Sequence, residues 1–197
     1  MRTAGDVRLR PCRPDDAAGI CAIYNPYVDA TIVTFEEEPV AAEDMSRRIV
    51  DVTARCISFL CQIGHRASHP TVRRGIEFLK AEQEADGSWF GRWGTNYVYG
   101  TWSALCALNA AGADMKAPWI RQAVDWLIAR QNPDGGWGED GATYWPAERN
   151  AAAVSTASQT AWAVLGLMAA GEVGTEAVAR GVRHLADGRR TGARWAE

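Results

Sequence analysis

The sequence predicts a mainly α-helical protein with a small α/β segment at its N-terminus. Three observations carry that prediction. From about residue 58 onward, apolar residues recur at helical spacing in segments separated by Gly-rich turns. A motif of fixed spacing occurs twice, 48 residues apart from Gln83 to Gln131, as stacked helical units would produce. All nine Trp lie from Trp89 onward, against four Phe in the whole chain. Charge is uneven too: residues 1–50 hold six Arg and nine Asp/Glu, whereas residues 51–197 hold fifteen of each sign. Two sequence regimes are joined, and the expected domains are 1–50 and 51–197.

The front reads as β-α-β-α. Val7 to Arg10 alternates as an edge-type strand. Pro14-Asp15-Asp16 starts a helix with an Asp cap, and Ile20, Ile23, Tyr24 and Tyr27 give it an apolar face. Ala30 to Phe35 is β-branched and aromatic, hence a second strand. Ala41 to Val50 is a short helix with an acidic first turn.

Six helical segments follow, over Ser58–Ile63, Thr71–Gln83, Thr101–Ala111, Pro118–Gln131, Thr156–Ala170 and Glu176–Leu185. Two of them end alike. Phe78-Leu79-x3-Gln83-x3-Gly87-x-Trp89 matches Trp126-Leu127-x3-Gln131-x3-Gly135-x-Trp137. The chemistry is that of a fastener. Gly permits positive φ where the helix stops, the Gln amide reaches orphan backbone groups, and Trp combines buried area with one N–H donor. A decayed third copy has Arg189 where Gln belongs and ends on Trp195. Trp102, Trp119, Trp126, Trp145 and Trp162 read as packing residues.

Composition excludes several classes. No run of about 18 apolar residues exists to span a bilayer. The N-terminus has no apolar signal core, which points to the cytoplasm. Five scattered Cys without a C-x-x-C pair argue for reduced thiols and against a disulfide framework or zinc knuckle. Arg residues are dispersed among acids, so no nucleic-acid partner is expected. His65-x3-His69 lacks the Glu of H-E-x-x-H, and no P-loop, Rossmann fingerprint or G-x-S-x-G occurs, so no metal or cofactor is expected. Glu139-Asp140 reads as a solvated acidic loop.

Two resemblances add to this. R-L-R-P-C-R-P-D-D with I-Y-N-P-Y-V and T-F-E-E-E-P resembles the start of GNAT acetyltransferases of the phosphinothricin type. It covers the first quarter, without the acetyl-CoA loop: Gln131 to Gly136 has the wrong spacing and Arg189 to Arg194 fails at the last position. Q-E-A-D-G-S-W and Q-N-P-D-G-G-W-G-E-D resemble the QW repeats of class II triterpene cyclases, the squalene–hopene cyclases in particular. D-V-T-A-R at Asp51, G-S-W-F-G-R-W-G-T-N-Y-V-Y-G-T-W at Gly87 and S-T-A-S-Q-T-A-W at Ser155 extend it over three quarters of the chain.

This second resemblance implies a partial α/α toroid, half of an α6–α6 barrel, and terpenoid (hopanoid) biosynthesis. It implies an apolar polyprenoid substrate, protonated by an Asp of a D-x-D-D motif and guided by aromatic faces. Asp51 matches a residue supporting that acid, Arg55 stands where a His often pairs with it, and Trp93 and Tyr99 match cavity aromatics. Ordinary core packing is the alternative reading of both aromatics. D-x-D-D itself is absent. The expectation is therefore a cyclase segment that is inactive alone, with a non-catalytic helical interaction fragment and a GNAT remnant as alternatives. Open toroid flanks predict self-association or contact with a membrane surface.

Overall fold

The computed structural model describes residues 13–30, 38–151 and 153–190. The strand expected at Val7 to Arg10, the strand expected beyond Ala30 and the third repeat at Trp195 lie outside them. Contacts divide the chain into two compact units, Met1–Ile49 and Val50–Glu197.

In the first unit, a 3-10 turn over Pro14–Asp16 leads into α1 (Ala17–Ala30). Asp16 caps the entry, accepting from the Arg13 N–H at 2.8 Å. Ala17, Cys21, Val40 and Met45 form a small core. The Asn25 amide exchanges two hydrogen bonds with the Val40 backbone, at 2.9 and 3.0 Å, and thereby stands in for a strand partner.

The helix α2 runs from Ala42 to Gln62 without interruption. Two separate helices over Ala41–Val50 and Ser58–Ile63 are thus one. The intervening Asp51-Val52-Thr53-Ala54-Arg55-Cys56-Ile57 holds no Gly or Pro, so nothing stops propagation.

The second unit continues with α3 (Pro70–Ala81), α4 (Tyr97–Ala111), α5 (Pro118–Ala129), α6 (Ala157–Ala169) and α7 (Glu176–Arg190). All described regular structure here is helical, with one isolated bridge between Trp137 and Thr156. Helices α4 and α6 pack side by side and are buried on most faces, while α3, α5 and α7 are amphipathic. Inner and outer helices therefore alternate, as in part of an α/α toroid. The core runs from Val50, Ala54 and Ile57 of α2 through Leu105 and Leu108 of α4 to Leu167 of α6.

The two fasteners match bond for bond. Gln83 donates from Nε2 to the Gly87 carbonyl (2.7 Å) and to that of Trp119 at the start of α5 (2.8 Å). Gln131 donates to Gly135 (2.9 Å) and to Ala177 at the start of α7 (2.8 Å). The indole N–H of Trp89 closes onto the Leu79 carbonyl at 2.7 Å, and that of Trp137 onto Leu127 at 2.8 Å, each in the last turn of an outer helix. Both indoles are fully buried. Gly87 and Gly135 have φ of 94° and 88°. A Cβ there would also stand 2.8 Å from the Gln122 carbonyl carbon, or 2.9 Å from the Arg180 carbonyl oxygen, so glycine lets the next outer helix close in.

Two expectations change. Trp145 is not a packing residue: it is 70% exposed, on the loop between α5 and α6. Glu139 is not a solvated acid: it is only 7% exposed. Among the described residues, no helix is long and apolar enough to cross a membrane, and no group of three or more His, Cys, Asp or Glu could hold a metal. His65 and His69 lie with ring centroids 4.2 Å apart, and His69 Nδ1 accepts from the Thr71 N–H to cap α3.

Candidate functional site

The inner helices converge on one aromatic cluster. Tyr99 and Trp102 stand one turn apart on α4, and Trp162 approaches from α6. Trp102 and Trp162 stack, with centroids 5.7 Å apart and planes at 18°. Tyr99 meets Trp162 edge-on at 5.1 Å and lies 5.6 Å from Trp102. Arg55 of α2 completes the group. Its guanidinium sits 5.3 Å from the Tyr99 ring centroid and 5.7 Å from that of Trp102. It also donates to the Tyr99 hydroxyl, from Nε at 3.1 Å and from Nη2. The ring faces carry the negative quadrupole that attracts cations, and a cation occupies them here. The Trp102 indole N–H is buried without an acceptor among the described residues.

Local close approach fixes Tyr99. A Cβ on Gly94 would stand 2.2 Å from its ring, so the loop before α4 lies directly over it. The first turn of α4 is held from outside the helix. Asn96 makes no side-chain cap, and Glu139 takes its place, accepting from the Val98 N–H at 2.8 Å and the Asn96 N–H at 3.4 Å. Burial pushes the Glu139 carboxyl up to about 7, against the opposing pull of the Val98 and Tyr97 N–H groups, Arg130 and Arg149. Gln159 of α6 clips the same segment, accepting from the Glu139 N–H at 2.6 Å and donating to the Thr95 and Glu139 carbonyls.

A second polar knot joins the first fastener to the loop before α6. Arg149 binds Asp86 at 3.1 Å and Glu84 at 3.2 Å, donates to Ser88 and the Tyr97 hydroxyl, and lies 4.0 Å from the Tyr97 ring centroid. Burial works against ionisation of Asp86. The Ser88 hydrogen bonds and the Arg149 charge outweigh it and hold the carboxyl below the usual range.

Of the residues singled out by sequence, the structure brings Tyr99 together with Arg55. Trp93 lies on the loop before α4 and is 63% exposed. Asp51 stands one turn before Arg55 in α2, and its side chain lies outside the described residues. Sequence reasoning missed Trp102 and Trp162 as members of the cluster. The i, i+3 spacing from Tyr99 was a signal for Trp102; the contact with Trp162 is tertiary and left none.

The comparisons with known proteins agree with this geometry. The family model described as the squalene-hopene cyclase C-terminal domain matches residues 24–197. The squalene-hopene cyclase of Schizosaccharomyces japonicus is 58% identical over 147 residues, 75% of this chain and 22% of that protein. The probable squalene–hopene cyclase of Sinorhizobium fredii is 55% identical over 149 residues, 75% of this chain and 23% of its own length. The sporulenol synthase of Bacillus subtilis is 43% identical over 162 residues, 79% of this chain and 24% of its own. The chain thus spans about a quarter of the length of the curated relatives it matches. It belongs to the squalene-hopene cyclase family, through that family's C-terminal domain.

Proposed function

We propose that these residues form one wall of a polyene-cyclising site, in which Tyr99, Trp102 and Trp162 present aromatic faces to a carbocation derived from an apolar polyprenoid. The observation that carries this reading is the Arg55 guanidinium over Tyr99 and Trp102, which marks those faces as cation-stabilising. Such faces lower the barrier only where positive charge develops. Trp93 and Asp51 join the site in this reading, Asp51 through the network that supports the acid.

The proton donor is not part of this wall. D-x-D-D does not occur in the 197 residues, and protonating an alkene demands a strong acid, so the chain alone does not cyclise squalene. The test is a chimera in which residues 51–197 replace the corresponding segment of the S. japonicus relative. The expected result is hopene or diplopterol from the chimera and none from the isolated chain. Product from the isolated chain, or none from a folded chimera, overturns the proposal.

Two further assignments belong to the same reading. Exposed Leu165 and Met168 of α6, with Val173 and Val182 near or on α7, support contact with a membrane surface or a second copy. A monodisperse monomer that ignores vesicles counts against it. Residues 1–50 form a separate domain of GNAT-like origin without activity, a reading supported by the division of contacts near Val50. Acetyl transfer from acetyl-CoA to phosphinothricin would contradict it.

A further inference from the structure

Glu139 and Asn96 share an anomaly. Glu139 Oε2 receives N–H groups from the start of α4, but Oε1 is buried with no hydrogen-bond partner among the described residues. Asn96, fully buried beside it, has an equally unpartnered Oδ1. Two buried acceptors without donors leave a large desolvation cost uncompensated. An inorganic cation would resolve it, but Arg130 from the end of α5 and Arg149 from the loop before α6 already direct positive charge at this carboxyl. Of the other groups around it, Thr143 and Gln159 carry no charge, and Tyr97 accepts from Arg149 at its hydroxyl and turns its backbone N–H toward the carboxyl. A proton on Oε1 turns one orphan acceptor into a donor and leaves Oε2 free to receive the N–H groups of α4.

We propose that Glu139 is a positioning residue for the aromatic site, holding the first turn of α4, and with it Tyr99, as a neutral carboxylic acid. Val98, which donates to Glu139, directly precedes Tyr99, and Gln159 ties the same carboxyl-bearing segment to α6, three residues before Trp162. The Glu139 carboxyl thus holds α4, while its backbone is held by α6. Ionisation puts charge on Oε1, which receives no hydrogen bond among the described residues, and the latch loosens. The buried carboxyl is raised from 4.5 to about 7, so the latch is complete in acid and is lost as pH rises through neutrality. Calling Tyr99 a site residue rests on the proposed function; the latch itself is read from titration and folding, so the two readings fail separately.

The test uses the full chain with 13C-labelled Glu carboxyls and 13C-labelled Tyr rings, followed by NMR from pH 4 to about 9. One Glu signal should titrate near 7 and vanish in Glu139→Gln, with Glu139→Asp as a second assignment should the first fail to fold. The Tyr99 ring signal, assigned with Tyr99→Phe, should shift with that same midpoint in the wild type and stay constant in Glu139→Gln. The thermal midpoint should fall across the same range in the wild type and remain flat in Glu139→Gln. A Glu139 signal titrating with the exposed carboxylates, or a Tyr99 signal indifferent to its midpoint, overturns the proposal.

Discussion

The two fasteners are copies, and the surroundings of the two are not. Each has a Gln bridging to the next outer helix, a left-handed Gly and a buried Trp closing the previous one. The backbone N–H of each Trp donates to a Thr hydroxyl on the next inner helix, Thr101 or Thr160. The interval differs: 12 residues separate Trp89 from Thr101, and 23 separate Trp137 from Thr160. The longer stretch carries Glu139 and Arg149, which reach back to the start of α4 and to the first fastener. Site residues likewise escape the repeat. Counting from the equivalent Thr residues, Tyr99 corresponds to Ser158 and Trp102 to Ala161. The repeated residues build the fold, and departures from the repeat build the site.

The largest expected effect tests the symmetry. Trp89→Ala and Trp137→Ala each empty a fully buried site and remove an indole hydrogen bond to the preceding outer helix, so each should cost about 3–5 kcal/mol. Urea unfolding measures both. Values differing by more than ~2 kcal/mol would show that the two copies do not carry equal load.

A smaller effect tests the asymmetry. Asp86 binds Arg149, Ser88 and the Trp126 indole N–H, so Asp86→Asn should cost about 1–3 kcal/mol. Asp134 has a side chain 53% exposed and faces His184 at 3.7 Å, so Asp134→Asn should stay within about 1 kcal/mol. Equal losses would remove the distinction drawn between the two surroundings.

What could be read in the sequence follows the same division. The fasteners were legible because Gln, Gly and Trp act within ten residues of one another and because the pattern recurs. The six helices were legible from periodicity, and α2 was divided because the change in composition near Val50 reads as a domain boundary. Glu139 was not legible: its donors lie 41 and 43 residues earlier in the chain, and a Glu-Asp pair after a turn looks solvated. Trp145 and Trp162 both read as packing residues, yet Trp145, outside every expected helix and followed by Pro146, is exposed, and Trp162, within Thr156–Ala170, stacks on Trp102. The packing of α4 against α6 decides the partner of Trp162.

The most direct measurement is squalene cyclisation by the chimera carrying residues 51–197, compared with its Trp162→Leu and Tyr99→Phe variants. Aromatic faces over a developing cation contribute about 2 kcal/mol or more when desolvated, so Trp162→Leu should lower the rate at least ~30-fold while the variant remains folded. Tyr99→Phe keeps the ring, loses the bond to Arg55 and should fall less. A Trp162→Leu chimera that forms hopene at the parental rate would contradict the assignment of this cluster as a cation-stabilising wall.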